Sequence, residues 1–135
     1  MRLLGIDYGL KRVGLALADE DSSLAFPRPA VERTSGDALV AEIGRIVAEE
    51  QVAALVLGLP LALDGQDTDM TRQVRNLAKK LKAKLGLPVH LVDERLTSAE
   101  AQARLREAGV SSRKMKGRLD SGAAALILQA YLERS

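Results

Sequence analysis

Three short apolar runs constrain this chain more than any other feature. Residues 2–8 carry Leu3, Leu4 and Ile6, and residues 52–57 and 89–92 repeat the pattern. Apolar runs of this length, closed by turn residues, read as strands, and the first two read as buried on both faces. Amphipathic segments lie between them. Over 38–50, Leu39, Ile43, Ile46 and Val47 share one helical face. Over 70–85, Met70, Val74, Leu77, Leu81 and Leu85 form one stripe, and Gly86 and Pro88 stop that helix. The turn Gly9-Leu10-Lys11-Arg12 leads into a second strand over 13–18, so the chain opens with a hairpin. Pro27 and Pro29 restrict 22–33 to loop or edge strand. Gly58-Leu59-Pro60 reads as the end of the strand at 52–57. Thr97 and Glu100 supply a capping box for a helix that Gly109 ends. A last helix covers 120–133, with Ala123, Ala124, Ile127 and Tyr131 on the face of Asp120.

A hairpin followed by helix–strand–helix–strand–helix predicts an α/β fold with a mixed central sheet flanked by helices. Right-handed crossovers make the strands at 52 and 89 parallel to the first. At 135 residues and 47% hydrophobic content the chain can build one core, so 1–135 is expected to be a single domain.

Sites in such sheets lie beyond the carboxyl ends of the parallel strands. Asp7 ends the first strand, on the face of Leu3 and Gly5. Asp93 and Glu94 end the 89–92 strand and point to opposite faces. Asp120 opens the last helix. Carboxylates gathered at one sheet edge repel one another unless divalent cations neutralise them. The chain has no cysteine and one histidine, His90, so a metal site must be built from carboxylates, which favour Mg2+ or Mn2+. Two such ions are a standard device for phosphodiester cleavage. Each acid also has a plainer use. Asp7 can serve as a turn residue. Asp120 can be an N-cap contributing about 1 kcal/mol. Asp93 or Glu94 can pair with Arg95 or cap the next helix. Spacing alone does not choose between Asp93 and Glu94.

The net charge of +2 says little, but its distribution is segregated. No acid falls between Asp69 and Asp93, where Arg72, Arg75, Lys79, Lys80, Lys82 and Lys84 lie. Arg72, Arg75, Lys79 and Lys82 line one helical face. Arg113, Lys114, Lys116 and Arg118 precede the last helix. Two basic clusters framing the acids suggest a polyanionic partner. Lys11, Arg12 and Arg95 complete the candidate substrate contacts. Aromatic residues are only 2% of the chain, which disfavours a base-stacking platform and favours recognition of the nucleic-acid backbone. No signal peptide and no membrane-spanning apolar run are visible, and the absence of cysteine fits a reducing cytoplasm.

Four stretches carry a resemblance that spans essentially the whole chain. They are Gly5-Ile6-Asp7-Tyr8-Gly9-Leu10-Lys11-Arg12-Val13-Gly14, Gly58-Leu59-Pro60-Leu61 with Asp64-Gly65, Asp93-Glu94-Arg95-Leu96-Thr97-Ser98-Ala99-Glu100-Ala101, and 116–128 with Leu119-Asp120-Ser121-Gly122-Ala123-Ala124-Ala125. The chain resembles the YqgF/RuvX family, small bacterial proteins of the ribonuclease H-like fold related to Holliday junction resolvases. The resemblance implies a metal-dependent nuclease that processes the 5′ end of precursor 16S ribosomal RNA, or a resolvase-like activity on branched DNA. It implies Asp7, Glu94 and Asp120 as the catalytic and metal-binding acids, selecting Glu94 over Asp93. It also implies a second metal completed by substrate phosphate, because the position where resolvases often carry a fourth acid is Ala123. A homodimer would match the two-fold symmetry of a branched junction. Two other classes compete. The Asp7-Tyr8-Gly9 turn is similar to the phosphate loop of actin-like ATPases, which need a second such domain. A non-catalytic RNA-binding assembly factor would need the basic helix but not the acids.

Overall fold

The computed structural model describes residues 1–96, 103, 105–107 and 121–134. The Thr97 and Glu100 capping box, Gly109, Asp120 and the cluster of Arg113, Lys114, Lys116 and Arg118 lie outside them. The elements are β1 (Arg2–Tyr8), β2 (Arg12–Asp19), β3 (Phe26–Glu32), α1 (Gly36–Glu50), β4 (Val52–Leu59), α2 (Asp69–Leu85), β5 (Val89–Asp93), a 3-10 turn (Glu94–Leu96) and α3 (Gly122–Leu132). Residues 103 and 105–107 are helical. The five strands form one sheet in the order β3-β2-β1-β4-β5.

β1 and β2 pair antiparallel, as the hairpin requires, with Asp7 opposite Gly14. Gly9 makes the tight turn possible: its N–H bonds to the Arg12 carbonyl, and a Cβ there would lie 2.5 Å from that oxygen. β4 runs parallel to β1, and β5 parallel to β4. The carboxyl ends of β1, β4 and β5 therefore share one edge. β3 takes the opposite edge of the sheet, where Pro27 and Pro29 need no ladder partner for a missing N–H. β4 does not stop at Leu57: it continues through Gly58 to Leu59, paired with Val92 and Asp93 of β5. The glycine that reads as a strand terminator is an interior strand position.

Alternation along the strands splits the core in two. Leu4, Ile6, Leu15, Leu55 and Leu57 meet Leu39, Ile43 and Ile46 of α1 and Val74, Leu77 and Leu81 of α2. Leu3, Ala16, Ala18, Ala54 and Val56 meet Ala124, Ile127 and Leu128 of α3. The second layer is rich in small residues, so α3 sits close to the sheet. A Cβ on Gly5 would lie 2.8 Å from Leu128 Cβ and 3.0 Å from the Ala124 carbonyl oxygen. Ala123, expected on the packing face of the last helix, is exposed; Ala124, Ala125, Ile127 and Leu128 form that face.

Two buried polar side chains register α3 on the sheet. The N-cap Ser121 makes no capping bond; its hydroxyl accepts the Leu15 N–H at 3.0 Å. That amide lies where the β2–β3 register shifts. Gln129 accepts the Ala25 N–H at 2.9 Å and donates to the Ser23 carbonyl at 2.6 Å. Both groups satisfy buried backbone atoms that would otherwise be costly. α2 starts at Thr68, which exchanges bonds with Thr71 in a capping box, and ends at Gly86 with φ 68°. No helix among the described residues is long and apolar enough to cross a membrane.

Candidate active site

Asp7 lies on the α3 side of the sheet, because Leu3, Gly5 and Asp7 alternate onto that face. Gly58 is on the same side: its Cβ would meet Ile127 of α3. Glu94 follows β5 directly. Strands β1 and β5 are separated by β4, so they lie roughly 10 Å apart. Glu94 reaches Asp7 by crossing β4, and it does so at the one position with no side chain. A Cβ on Gly58 would lie 2.8 Å from Glu94 Oε1 and 3.0 Å from Glu94 Cγ. The two carboxyl groups meet in a hydrogen bond.

Burial is the largest influence on both acids. It raises the Asp7 carboxyl above the ordinary range, with the hydrogen bond from Glu94 acting in the opposite direction. Glu94 is pushed up to about 7 by burial, then by its hydrogen bond to Asp7 and by the charges of Asp7 and Asp93. Two carboxyls in contact cannot both ionise cheaply, so the pair retains a proton near neutrality. A divalent cation can replace that proton. The donors are hard oxygens and partly buried, which fits a hard divalent cation. No cluster of three or more His, Cys, Asp or Glu occurs among the described residues. The third expected acid, Asp120, lies outside them.

Asp93 takes a different part. Its carboxylate faces away and holds Arg95, with Arg95 Nη2 at 2.7 Å and the Arg95 backbone N–H at 2.9 Å. The hydrogen bonds from Arg95 keep Asp93 below its usual range. Arg95 also donates from Nη1 to the Leu63 carbonyl at 3.1 Å. Of the basic stripe on α2, Arg72 pairs with Asp69 at 2.5 Å and Arg75 with Asp67 at 3.0 Å. Lys79 and Lys82 are exposed and have no ion pair among the described residues. Lys11 and Arg12 stand at the hairpin beside Asp7, with Arg12 3.8 Å from Glu32. His90 packs against the Tyr131 ring at 5.0 Å.

Sequence patterns did not single out Arg33. Its guanidinium lies 4.3 Å from the centre of the Tyr8 ring, donates to the Gly9 carbonyl at 3.2 Å and bonds Gln73 of α2. It braces the turn after Asp7. Sequence patterns mark Gly58 as a strand terminator and a motif member, and Ser121 as a motif member, without indicating the contacts either makes. A glycine within an otherwise apolar strand was the available signal for a close approach.

A family model described as "RuvX: Holliday junction resolvase" matches residues 1–134. A relative from Maridesulfovibrio salexigens named as a pre-16S rRNA nuclease is 52% identical over 135 residues, covering 100% of both chains. One of the same name from Nitratidesulfovibrio vulgaris is 48% identical over 98% of this chain and 93% of its own length. Among solved structures, the chain is similar to Thermus thermophilus RuvC in complex with a Holliday junction substrate. The TM-score is 0.65 at 14% identity, over 97% of this chain and 94% of that one. The fowlpox virus Holliday junction resolvase gives 0.59 at 12% identity, over 98% of each chain. The sheet order and these neighbours make the fold ribonuclease H-like, as the motifs imply. With a full-length family match and full-length relatives near half identity, the chain belongs to the RuvX family.

Proposed function

We propose that this protein is a metal-dependent nuclease that hydrolyses phosphodiester bonds in the 5′-end processing of precursor 16S ribosomal RNA, in the cytoplasm. The observation that carries the reading is the contact between Asp7 and Glu94 across Gly58. A structural ion pair would bring opposite charges together; this site brings two carboxyl groups together. The names of the relatives support the RNA substrate. The family description favours a second reading, cleavage of branched DNA; a homodimer would match the two-fold symmetry of such a junction.

Asp120 is proposed as the third acid. It precedes Ser121, whose hydroxyl is fixed to Leu15, and Leu15 neighbours Gly14, the cross-strand partner of Asp7. That sequence adjacency to Ser121 is what supports assigning Asp120 to the same site as Asp7. Asp7, Glu94 and Asp120 would hold Mg2+ or Mn2+, with a second ion completed by substrate phosphate. Bound cations would supply an activated water and neutralise charge on the leaving oxygen. The protein's own contribution is orientation. Gly58 admits Glu94, α3 excludes water from the inner side of Asp7, and Ser121 sets the level of the helix start. Lys79 and Lys82 are the leading phosphate contacts on α2, with Arg72, Arg75, Lys11, Arg12, Arg113, Lys114 and Lys116 as further members. The whole of 1–135 acts as one domain. The test is to incubate the protein with Mn2+ and, in parallel, a precursor 16S rRNA fragment and a four-way DNA junction. Cleavage of the RNA alone supports the first reading, of the junction alone the second, and of neither in any metal removes the nuclease.

A further inference from the structure

We propose that Arg95 is a positioning residue, which aims Glu94 and locks the loop between β4 and α2 beside it, and is not a phosphate contact. The inference rests on the reading of Glu94 as a metal-binding acid. Arg95 Nε lies 3.0 Å from both oxygens of Asp93, and Nη2 lies 2.7 Å from one of them. The Arg95 backbone N–H bonds to the same carboxylate at 2.9 Å. Residues 93 and 95 are thus clipped together on one side. The side chain between them must leave on the other, toward Gly58 and Asp7.

The remaining arm of the guanidinium donates to the Leu63 carbonyl at 3.1 Å. It also lies against Gly65, where a Cβ would be 3.6 Å from both Nη atoms. Gly65 has φ 86°, a conformation that favours glycine. The loop it belongs to is internally braced. Ala62 N–H bonds to the Gln66 carbonyl, Gly65 N–H to the Ala62 carbonyl, and Gln66 N–H to Asp64 Oδ1. At its far end Thr68 caps α2, and Asp67 holds Arg75. Through Arg95, the stretches containing Asp64-Gly65 and Asp93-Glu94-Arg95 become one rigid unit that joins the acid to the basic helix. A planar fork can hold a carboxylate and a carbonyl at once; an ammonium cannot hold both in that geometry.

The test compares Arg95→Gln and Arg95→Lys with Lys79→Gln. Nucleic-acid binding is titrated with salt in chelator, and Mn2+ affinity is measured without nucleic acid. A positioning role predicts that Arg95→Gln keeps the parent salt slope and lowers Mn2+ affinity and kcat at least tenfold, as loss of a group orienting a metal ligand does. KM stays near the parent value. Lys79→Gln lowers the slope by about 0.7–0.9 with Mn2+ affinity unchanged. Arg95→Lys does not recover Mn2+ affinity. Asp93→Asn, which opens the clip from its other half, weakens Mn2+ in the same way and covers the case in which Arg95→Gln folds poorly. A lowered salt slope with unchanged Mn2+ affinity in Arg95→Gln, or recovery by lysine, overturns the proposal. Failure of the underlying reading looks different: Glu94→Gln itself would then bind Mn2+ as the parent does.

Discussion

Gly58→Ala is the most economical perturbation of the site, because it adds one methyl group and removes no functional atom. The added Cβ would stand 2.8 Å from Glu94 Oε1, 3.0 Å from Glu94 Cγ and 2.3 Å from Ile127 Cδ1. Carbon contacts are comfortable at about 3.5–4.0 Å, so each neighbour must give roughly 0.5–1.5 Å. Ile127 is buried at 1% exposure and has little room. Glu94 is only half-buried, opens the 3-10 turn after β5 and has solvent to move into. The carboxylate is therefore the group that leaves, and its contact with Asp7 is broken. Overpacking of this kind destabilises by about 1–3 kcal/mol, partly offset by relief of carboxylate repulsion. A displacement near 1 Å in a catalytic group reduces turnover by about a hundredfold. The assay is single-turnover cleavage with Mn2+ at a temperature well below Tm, with Gly44→Ala as control. Gly44 is in α1, where a Cβ would meet only Leu85 Cδ2 at 3.1 Å, and its variant should cleave normally. If Gly58→Ala stays folded and retains parent cleavage and Mn2+ affinity, Glu94 does not act from its place over Gly58.

Four further outcomes are expected. Glu94→Gln should stabilise the metal-free protein at pH 8 and not at pH 4. The Glu94 carboxyl titrates at 4.5 in the unfolded chain and about 7 when folded, so the native state holds the extra proton between those values and stability falls as pH rises through that window. With a discount for partial solvent exposure, the difference should be about 1–2 kcal/mol, read as Tm against pH. Mn2+ and Mg2+ should raise the Tm of the parent but not of Asp7→Asn; Ca2+ should raise Tm without supporting cleavage, and equal cleavage in chelator would refute the metal requirement. Lys79→Glu with Lys82→Glu should weaken binding to RNA and DNA alike and flatten the salt dependence, leaving single-turnover cleavage at saturating substrate unchanged; a parent-like salt titration would clear α2 of substrate contact. Ser121→Ala leaves the Leu15 amide unsatisfied and should lower stability by about 1–3 kcal/mol by denaturant titration, with unchanged stability counting against the Ser121–Leu15 bond.

Much of this was legible in the residues. Periodicity located the strands and both long helices, because a buried face imposes a repeat of 2 or 3.6 on any chain that builds it. The prolines placed β3 at an edge, since a missing N–H is tolerated there. Glycine usually punctuates, so the residues alone end β4 at Leu57, and only the third dimension reveals Glu94, from the turn after β5, over the missing Cβ. Likewise, Asp93 and Glu94 are adjacent and chemically alike. Their division of labour is set by Arg95 and Gly58, which lie at different distances along the chain. The stripe on α2 was correctly placed on an exposed face, but its charges are not equivalent. Arg72 is paired with Asp69 in the first turn of α2 and Arg75 with Asp67 of the preceding loop, whereas Lys79 and Lys82 lie a turn further along the helix.

Asp7 and its neighbouring acids are proposed to hold the metal that drives phosphodiester hydrolysis. Single-turnover cleavage of a 5′-labelled precursor 16S rRNA fragment, with parent and Asp7→Asn at matched Mn2+ and saturating protein, tests it most directly. The parent should cleave and Asp7→Asn should not, while Asp7→Asn should bind the RNA as tightly and melt no lower in the absence of metal. Cleavage by Asp7→Asn at the parent rate would contradict it.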